Sequence, residues 1–308
     1  MNKIHWFIVL ALAWNVGAAQ QFGDVDFSPL VSDPAFDPGS GPSVFIDEAH
    51  NNGHTADGRY RPFAYLLRQD GYVVERFDSQ FTDEALQAVD VLVIANALAH
   101  PDDMLLPTES AFSDTEVEAV HSWINSGGAL LLIADHMPWA GAATDLAERF
   151  GVFVHNGYAM TPGASNPLTF SQADGSLRDH AITRGRHAAE VIPFVATFGG
   201  HAFRVRSDLE ASPLMVFRPQ SVVYLTEQLL SGERVITRQT PHIPAEGLLQ
   251  GVALQVGSGR VVMSGEAAMF SAQVAPQGQR VGMNSPNAPH NVQFTLNVLH
   301  WLSGILDD

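Results

Sequence analysis

The sequence predicts an α/β fold: a doubly wound, mainly parallel sheet flanked by helices, with an antiparallel β extension in its second half. Three observations carry that expectation. Short apolar runs alternate with helix-period segments through residues 43–155, the pattern of parallel strands joined by right-handed crossovers. Two of those runs, DVLVIA (90–95) and ALLLIA (129–134), are apolar throughout, as strands covered on both faces are. Beyond about residue 190 the runs become closely spaced and β-type, including PLMVF, SVVYL and RVITR.

The elements follow in order. Residues 1–19 (MNKIHWFIVLALAWNVGAA) have Lys3, an apolar run from Trp6 to Val16 and small residues up to Ala19, which predicts a secretory signal peptide, too short for a membrane span. Residues 20–42, rich in Asp, Pro, Ser and Gly, read as a linker or surface strap, and 43–308 as a single α/β domain. SVFID (43–47) predicts the first strand. A helix bearing Phe63, Leu66 and Leu67 follows and stops at Gly71. Val73 to Phe77 form a second strand, and FTDEALQAV a short helix. Ser113 with Glu116 makes a capping box for a helix carrying Val117, Val120, His121 and Ile124, which ends at Gly127-Gly128. AGAATDLAERFG predicts a helix leading to a strand at VFVH, and 157–180 a loop. GVALQVGSGRVVMSGE predicts a hairpin turning at Gly257-Ser258-Gly259. After a loop at 275–290, VQFTLNVLHWLSGIL closes the chain as an amphipathic helix.

Composition removes several function classes. A net charge of −17, from 16 Lys plus Arg against 33 Asp plus Glu, argues against nucleic-acid partners, because phosphate binding needs a basic surface. There is no cysteine, hence no thiolate nucleophile, no disulfide and no Cys-ligated zinc. After signal cleavage no integral membrane segment is expected, and the protein is read as exported, periplasmic or secreted.

In open α/β sheets ligands bind beyond the carboxyl ends of the strands, so polar residues just after separate apolar runs converge. Four runs end that way, delivering Asp47/Glu48/His50, Asn96, Asp135/His136 and Glu266. The stretch DEAHNNGH also holds Asn51, Asn52 and His54. Taken singly, Asn51 and Asn96 read as turn or cap formers, and His121 and His300 as packed or surface residues.

Two chemistries stay open for the set. Asp47, His50, His54, Asp135 and His136 offer N/O ligands for a divalent metal, Zn²⁺ or Mn²⁺, with Glu48 or Glu266 as base toward bound water. Without metal, a carboxylate and a histidine serve as an acid–base pair, so Glu48, His50, Asp135, His136 and Glu266 are the candidate catalytic residues. The substrate expected is a small molecule or saccharide. A non-catalytic sugar- or small-ligand-binding role, with Trp139, Tyr158 and Phe270 as stacking surfaces, competes with the hydrolase reading, as does a structural role in the envelope. There is no HExxH, GxSxG or P-loop to decide among them.

DEAHNNGHTADGRYRPFAYLLRQDGY, GGALLLIADHMPWAGAATDLAERFG, GRVVMSGEAAMFSAQ and NVQFTLNVLHWL together resemble a group of secreted bacterial proteins in the class I glutamine amidotransferase-like superfamily. The resemblance spans nearly the whole mature chain. It implies a flavodoxin-like sheet, in a superfamily that includes ThuA-like proteins and sugar-binding domains. The amidotransferase cysteine is missing: the turn after ALLLIA carries Asp135 and His136, so thioester chemistry is excluded and no catalytic residue carries over.

Overall fold

The computed structural model describes residues 21–101, 106–164, 166–225, 236 and 239–307. The expected signal peptide (1–19) and most of the RVITR run (234–238) lie outside the described residues.

The central sheet has nine strands: β1 (Ser43–Asp47), β2 (Val73–Phe77), β3 (Val91–Ala95), β4 (Ala129–Ile133), β5 (Val152–His155), β6 (Ala202–Val205), β7 (Ala211–Val216), β8 (Leu249–Val256) and β9 (Gly259–Ser264). Their order is β2-β1-β3-β4-β9-β8-β6-β5, with β7 also pairing β8. The five strands β2, β1, β3, β4 and β9 are parallel, and the pairings of β5 to β8 are antiparallel.

The apolar runs are explained by burial on both faces. Val44, Ile46, Val91, Val93, Leu131 and Ile133 enter one core, while Leu92, Ile94, Leu130 and Leu132 enter the other. The first core also takes Phe63, Leu66 and Leu67 from helix α1 (Arg61–Gln69) and Phe294, Leu299 and Trp301 from the closing helix Asn291–Leu302. The second takes Val117, Val120 and Ile124 from α2 (Asp114–Asn125) and Leu146 and Phe150, within or just after Thr144–Arg149. Burying each such side chain contributes about 1.5–3 kcal/mol. Pro62 sits in the first turn of α1, where a missing N–H costs nothing, and Gly71 ends that segment with φ +92°. The capping box forms as expected, with the Ser113 N–H donating to Glu116 Oε2 at 3.0 Å.

Three expectations are corrected. VFVH does not continue the parallel array: β5 lies at the far edge, antiparallel to β6, with Ala202 opposite His155. The place beside β4 is held by β9, which was expected in the antiparallel extension but runs parallel to β4 with Val261 opposite Leu130. The insertion depends on Gly259, since a Cβ there would collide with the carbonyl oxygens of Ile124 and Gly128. Residues 157–180 are not all loop. They contain strands Tyr158–Met160 and Leu168–Ser171, too short to leave a periodic signal, which pair with Val222–Tyr224 and Phe194–Thr197.

Residues 21–42 cross the surface and are tied down by side chains of the domain. Phe22–Gly23 pairs with Ala272–Val274, Asp70 accepts from the Ala35 N–H at 2.8 Å, and Arg186 Nη2 donates to the Asp33 carbonyl at 2.6 Å. No helix among the described residues is long and apolar enough to cross a membrane.

Candidate functional site

At the end of β1 the chain builds a closed ionic knot. His50 Nδ1 stands 2.9 and 3.0 Å from the two Asp47 oxygens, and His50 Nε2 3.0 Å from Glu116 Oε1. Phe81 and Phe112 flank the imidazole at ring-centroid distances of 4.5 and 5.0 Å. Burial acts to lower the His50 pKa, but the hydrogen bonds and charges of Asp47 and Glu116 outweigh it and raise it, which favours the imidazolium. Burial likewise acts to raise the Glu116 pKa, and hydrogen bonds from His50 and Ser113 bring it below the ordinary value. Asn52 seals the knot, with Nδ2 donating to Asp47 at 2.8 Å and Oδ1 accepting from the His50 N–H at 3.1 Å.

The other members of DEAHNNGH are equally occupied. Glu48 accepts from the Ala56 N–H at 2.8 Å and pairs with Arg76 at 2.7 Å, bracing the loop against β2. Asn51 takes φ 48° and donates to the carbonyls of Leu98 and Ala99. His54 is 4% exposed, and burial lowers its pKa to about 3, so it is neutral. Its Nδ1 faces Asn96 Nδ2 at 3.2 Å, and Asn96 in turn accepts from the Asp135 N–H at 2.8 Å. Asn96, with φ 54°, is thus a strand-end turn former.

The ends of β4 and β9 are different. Asp135 accepts from the His136 N–H at 2.6 Å and the Ala267 N–H at 3.4 Å; Glu266 accepts from the next two, Ala268 and Met269, at 2.9 and 2.8 Å. The two carboxyl groups therefore sit on successive backbone donors. Burial, reinforced by the charge of Asp135, pushes the Glu266 pKa well above the ordinary carboxylate range. Tyr60 donates to the Ala267 carbonyl at 3.0 Å and closes the same turn from α1's side. His201 is fully buried beside it, its N–H on the Gly265 carbonyl at 2.9 Å, and burial lowers its pKa to about 3. His136 is directed away: Nδ1 lies 2.7 Å from the Met137 carbonyl oxygen and the ring stacks on Tyr158 at 4.1 Å. Phe270 is core, 1% exposed.

A cleft of about 770 Å³ opens beside these strand ends, lined by Asn52, Gly53, Arg59, Arg61 and Trp139 on the domain side and by Gln21, Phe22, Gly23 and Val25 opposite. Arg59 Nε donates to the Gln21 carbonyl at 3.1 Å, and Arg61 Nη1 to that of Val25 at 3.1 Å. Burial disfavours the charge of Arg59, and Asp135 offsets part of that cost. Asp135 thus stands behind the cleft wall, linked to it through Arg59 and Asn96.

The residues of the expected metal set are engaged with one another and with neighbours. Both His50 nitrogens are taken by carboxylates, His54 Nδ1 faces Asn96, and no three of Asp47, His50, His54, Asp135 and His136 bring ligand atoms within 4.8 Å of one another. Among the described residues the one trio that does is Asp33, His187 and Glu190, where Arg186 already pairs with both carboxylates. Of the catalytic candidates, Asp135 and Glu266 are brought together, whereas Glu48 and His50 are held apart from them by their own partners. Sequence reasoning assigned Glu116 only its cap, and missed Arg59, Arg61 and His201. The GRYRP segment carried the one usable signal, two arginines flanking a tyrosine just after the polar stretch.

No protein-family model matches the chain, and no curated protein matches it in sequence. Among solved structures, the mmIFT52 N-terminal domain aligns with a TM-score of 0.59 at 14% identity, covering 84% of this chain and 97% of that one. A cytoplasmic protein from Salmonella typhimurium aligns with a TM-score of 0.49 at 13% identity, over 85% and 98% of the two chains. A ThuA-like protein from Bacteroides uniformis ATCC 8492 gives 0.47 at 9% identity, over 88% and 95%. At such identities the likeness concerns fold alone: the chain is a mixed α/β protein with a mostly parallel central sheet and antiparallel additions, similar in fold to the mmIFT52 N-terminal domain.

Proposed function

We propose that this is an exported, hydrolase-like enzyme acting on a small saccharide-type substrate held in the cleft beside β4 and β9. The doubly wound arrangement and the resemblance to the glutamine amidotransferase-like superfamily belong to the same reading. The observation that carries it is the Asp135/Glu266 pair. Two carboxyl groups in contrasting surroundings, one beside a cleft and one 1% exposed and held neutral, are the arrangement that separates a base from an acid. Asp135 is the general base in this reading: it takes a proton from water as the water oxygen bonds to the anomeric carbon and the glycosidic C–O bond breaks, the leaving oxygen departing with the bonding pair and taking its proton from solvent. Glu266 maintains the turn and holds its proton behind Asp135. Trp139 offers a ring for stacking, and Arg59 orients the substrate from the wall.

A non-catalytic binding role is the second reading, favoured by the complete internal pairing of His50, which leaves no exposed histidine in DEAHNNGH to share the chemistry. A panel of p-nitrophenyl glycosides separates the two. The expected result is release of nitrophenol by the wild type and a loss of about 10²- to 10⁴-fold in Asp135→Asn with the thermal midpoint preserved. Stabilisation by sugars with no turnover of any of them sinks the hydrolase and leaves the binding protein.

A further inference from the structure

Resting on the reading of this cleft as the ligand site, we infer that it selects a carboxylate-bearing saccharide, a sugar acid, over the neutral sugar, with Arg59 as the residue that recognises the charge. The chain carries a net charge of −17, yet the described lining of this cleft holds Arg59 and Arg61 against one acid, Asp57. Asp57 in turn has Arg76 within 3.4 Å. A cationic wall in an acidic protein concentrates anions locally, and only a ligand that carries charge gains from it.

The hydrogen-bonding state of the wall points the same way. Arg59 spends Nε on the Gln21 carbonyl, and its Nη1 and Nη2 have no hydrogen-bond partner among the described residues. Those two nitrogens are donors only, and their planar fork matches a carboxylate with two parallel bonds. The second donor is Trp139 Nε1, buried and without a partner. It lies just beneath the cleft wall at Gly53, 3.7 Å from where a Cβ of that residue would stand. Asn51 and Asn52, which a neutral sugar would recruit for its hydroxyls, are already spent on the backbone and on Asp47. On the Arg59 side the wall thus presents charged, unpaired donors, which a carboxylate uses better than a neutral hydroxyl does. A volume of about 770 Å³ accommodates a sugar-sized ligand with room for a linked residue.

The test is calorimetric titration of the full chain with D-glucuronate and D-galacturonate, each paired with its neutral parent sugar, on wild type and Arg59→Gln. At least one acid should bind about tenfold or more tighter than its parent at low ionic strength, with the preference shrinking as salt is added. Arg59→Gln should erase that preference. Should R59Q fail to fold, Arg59→Lys keeps a charge without the fork and should retain only part of it. Equal binding of acid and parent, or a preference that survives R59Q, overturns the inference and leaves the function reading standing. Binding of none of the four sugars overturns both.

Discussion

At the end of β1, Asp47 and Glu116 close on both nitrogens of His50, whereas at the ends of β4 and β9 Asp135 and Glu266 are held by backbone N–H groups rather than by a cation. Both are carboxylate clusters at the same edge of one sheet. In the first, two carboxylates share one imidazolium and fill their remaining valences with hydrogen bonds from Asn52 and Ser113, so the cluster fastens a loop to α2. In the second, burial favours the neutral form of one carboxyl group, and the other stands behind the wall of a cleft. What distinguishes a structural cluster from a reactive one is thus the availability of its atoms, not the density of ionisable residues.

The largest effect expected from breaking this contrast is on stability. His50→Leu strips two buried carboxylates of their counter-ion and should cost about 3–5 kcal/mol in urea unfolding. A variant as stable as wild type would show that no ion pair exists there. Asp135→Asn should do the opposite, changing unfolding free energy by less than about 1 kcal/mol while lowering the proposed turnover by the same 10²- to 10⁴-fold, about what loss of a general base costs.

The next effect is on pH dependence. The folded-state pKa of His50 is raised, so its contribution is fully present below the unfolded value and is lost as pH rises through the folded one; that of Glu116 is lowered, so its contribution is present above the unfolded value and lost as pH falls through the folded one. Stability of the wild type should therefore decline above pH of about 6.5 by an increment absent from His50→Gln, as followed by thermal melts across pH. An identical profile in the two proteins removes the imidazolium from the account. The smallest effect belongs to Glu48→Gln. Its partner Arg76 has a side chain 59% exposed, so the change should stay within about 1 kcal/mol and leave kcat untouched.

The strands that build this edge were legible because their signal is local. SVFID and ALLLI stand where their apolar runs end, and Ser113 with Glu116 caps its helix as the spacing requires. What was not legible depends on distance along the chain. Glu116 meets His50 across 66 residues, and nothing in a capping box announces a second partner. Likewise β9 reads as one arm of a hairpin, and its parallel pairing with β4 is set by tertiary packing around Gly259. The pairing of the expected metal ligands was hidden for a related reason. Spacing counts ligand types, but only the fold shows that His50 and His54 are already bonded to other side chains.

The insertion of β9 also sets an order of events during synthesis. β4, whose five residues are all buried, gains its neighbour on one side from β3, made just before it, and on the other only from residues 259–264. A growing chain therefore carries an apolar strand with one unpaired edge until residues 259–264 have been made. Any chain stopped short of residue 264 keeps that edge open, ready to recruit the same strand from another copy. Synthesis of residues 259–264, rather than the formation of any early helix, is the event that closes this edge.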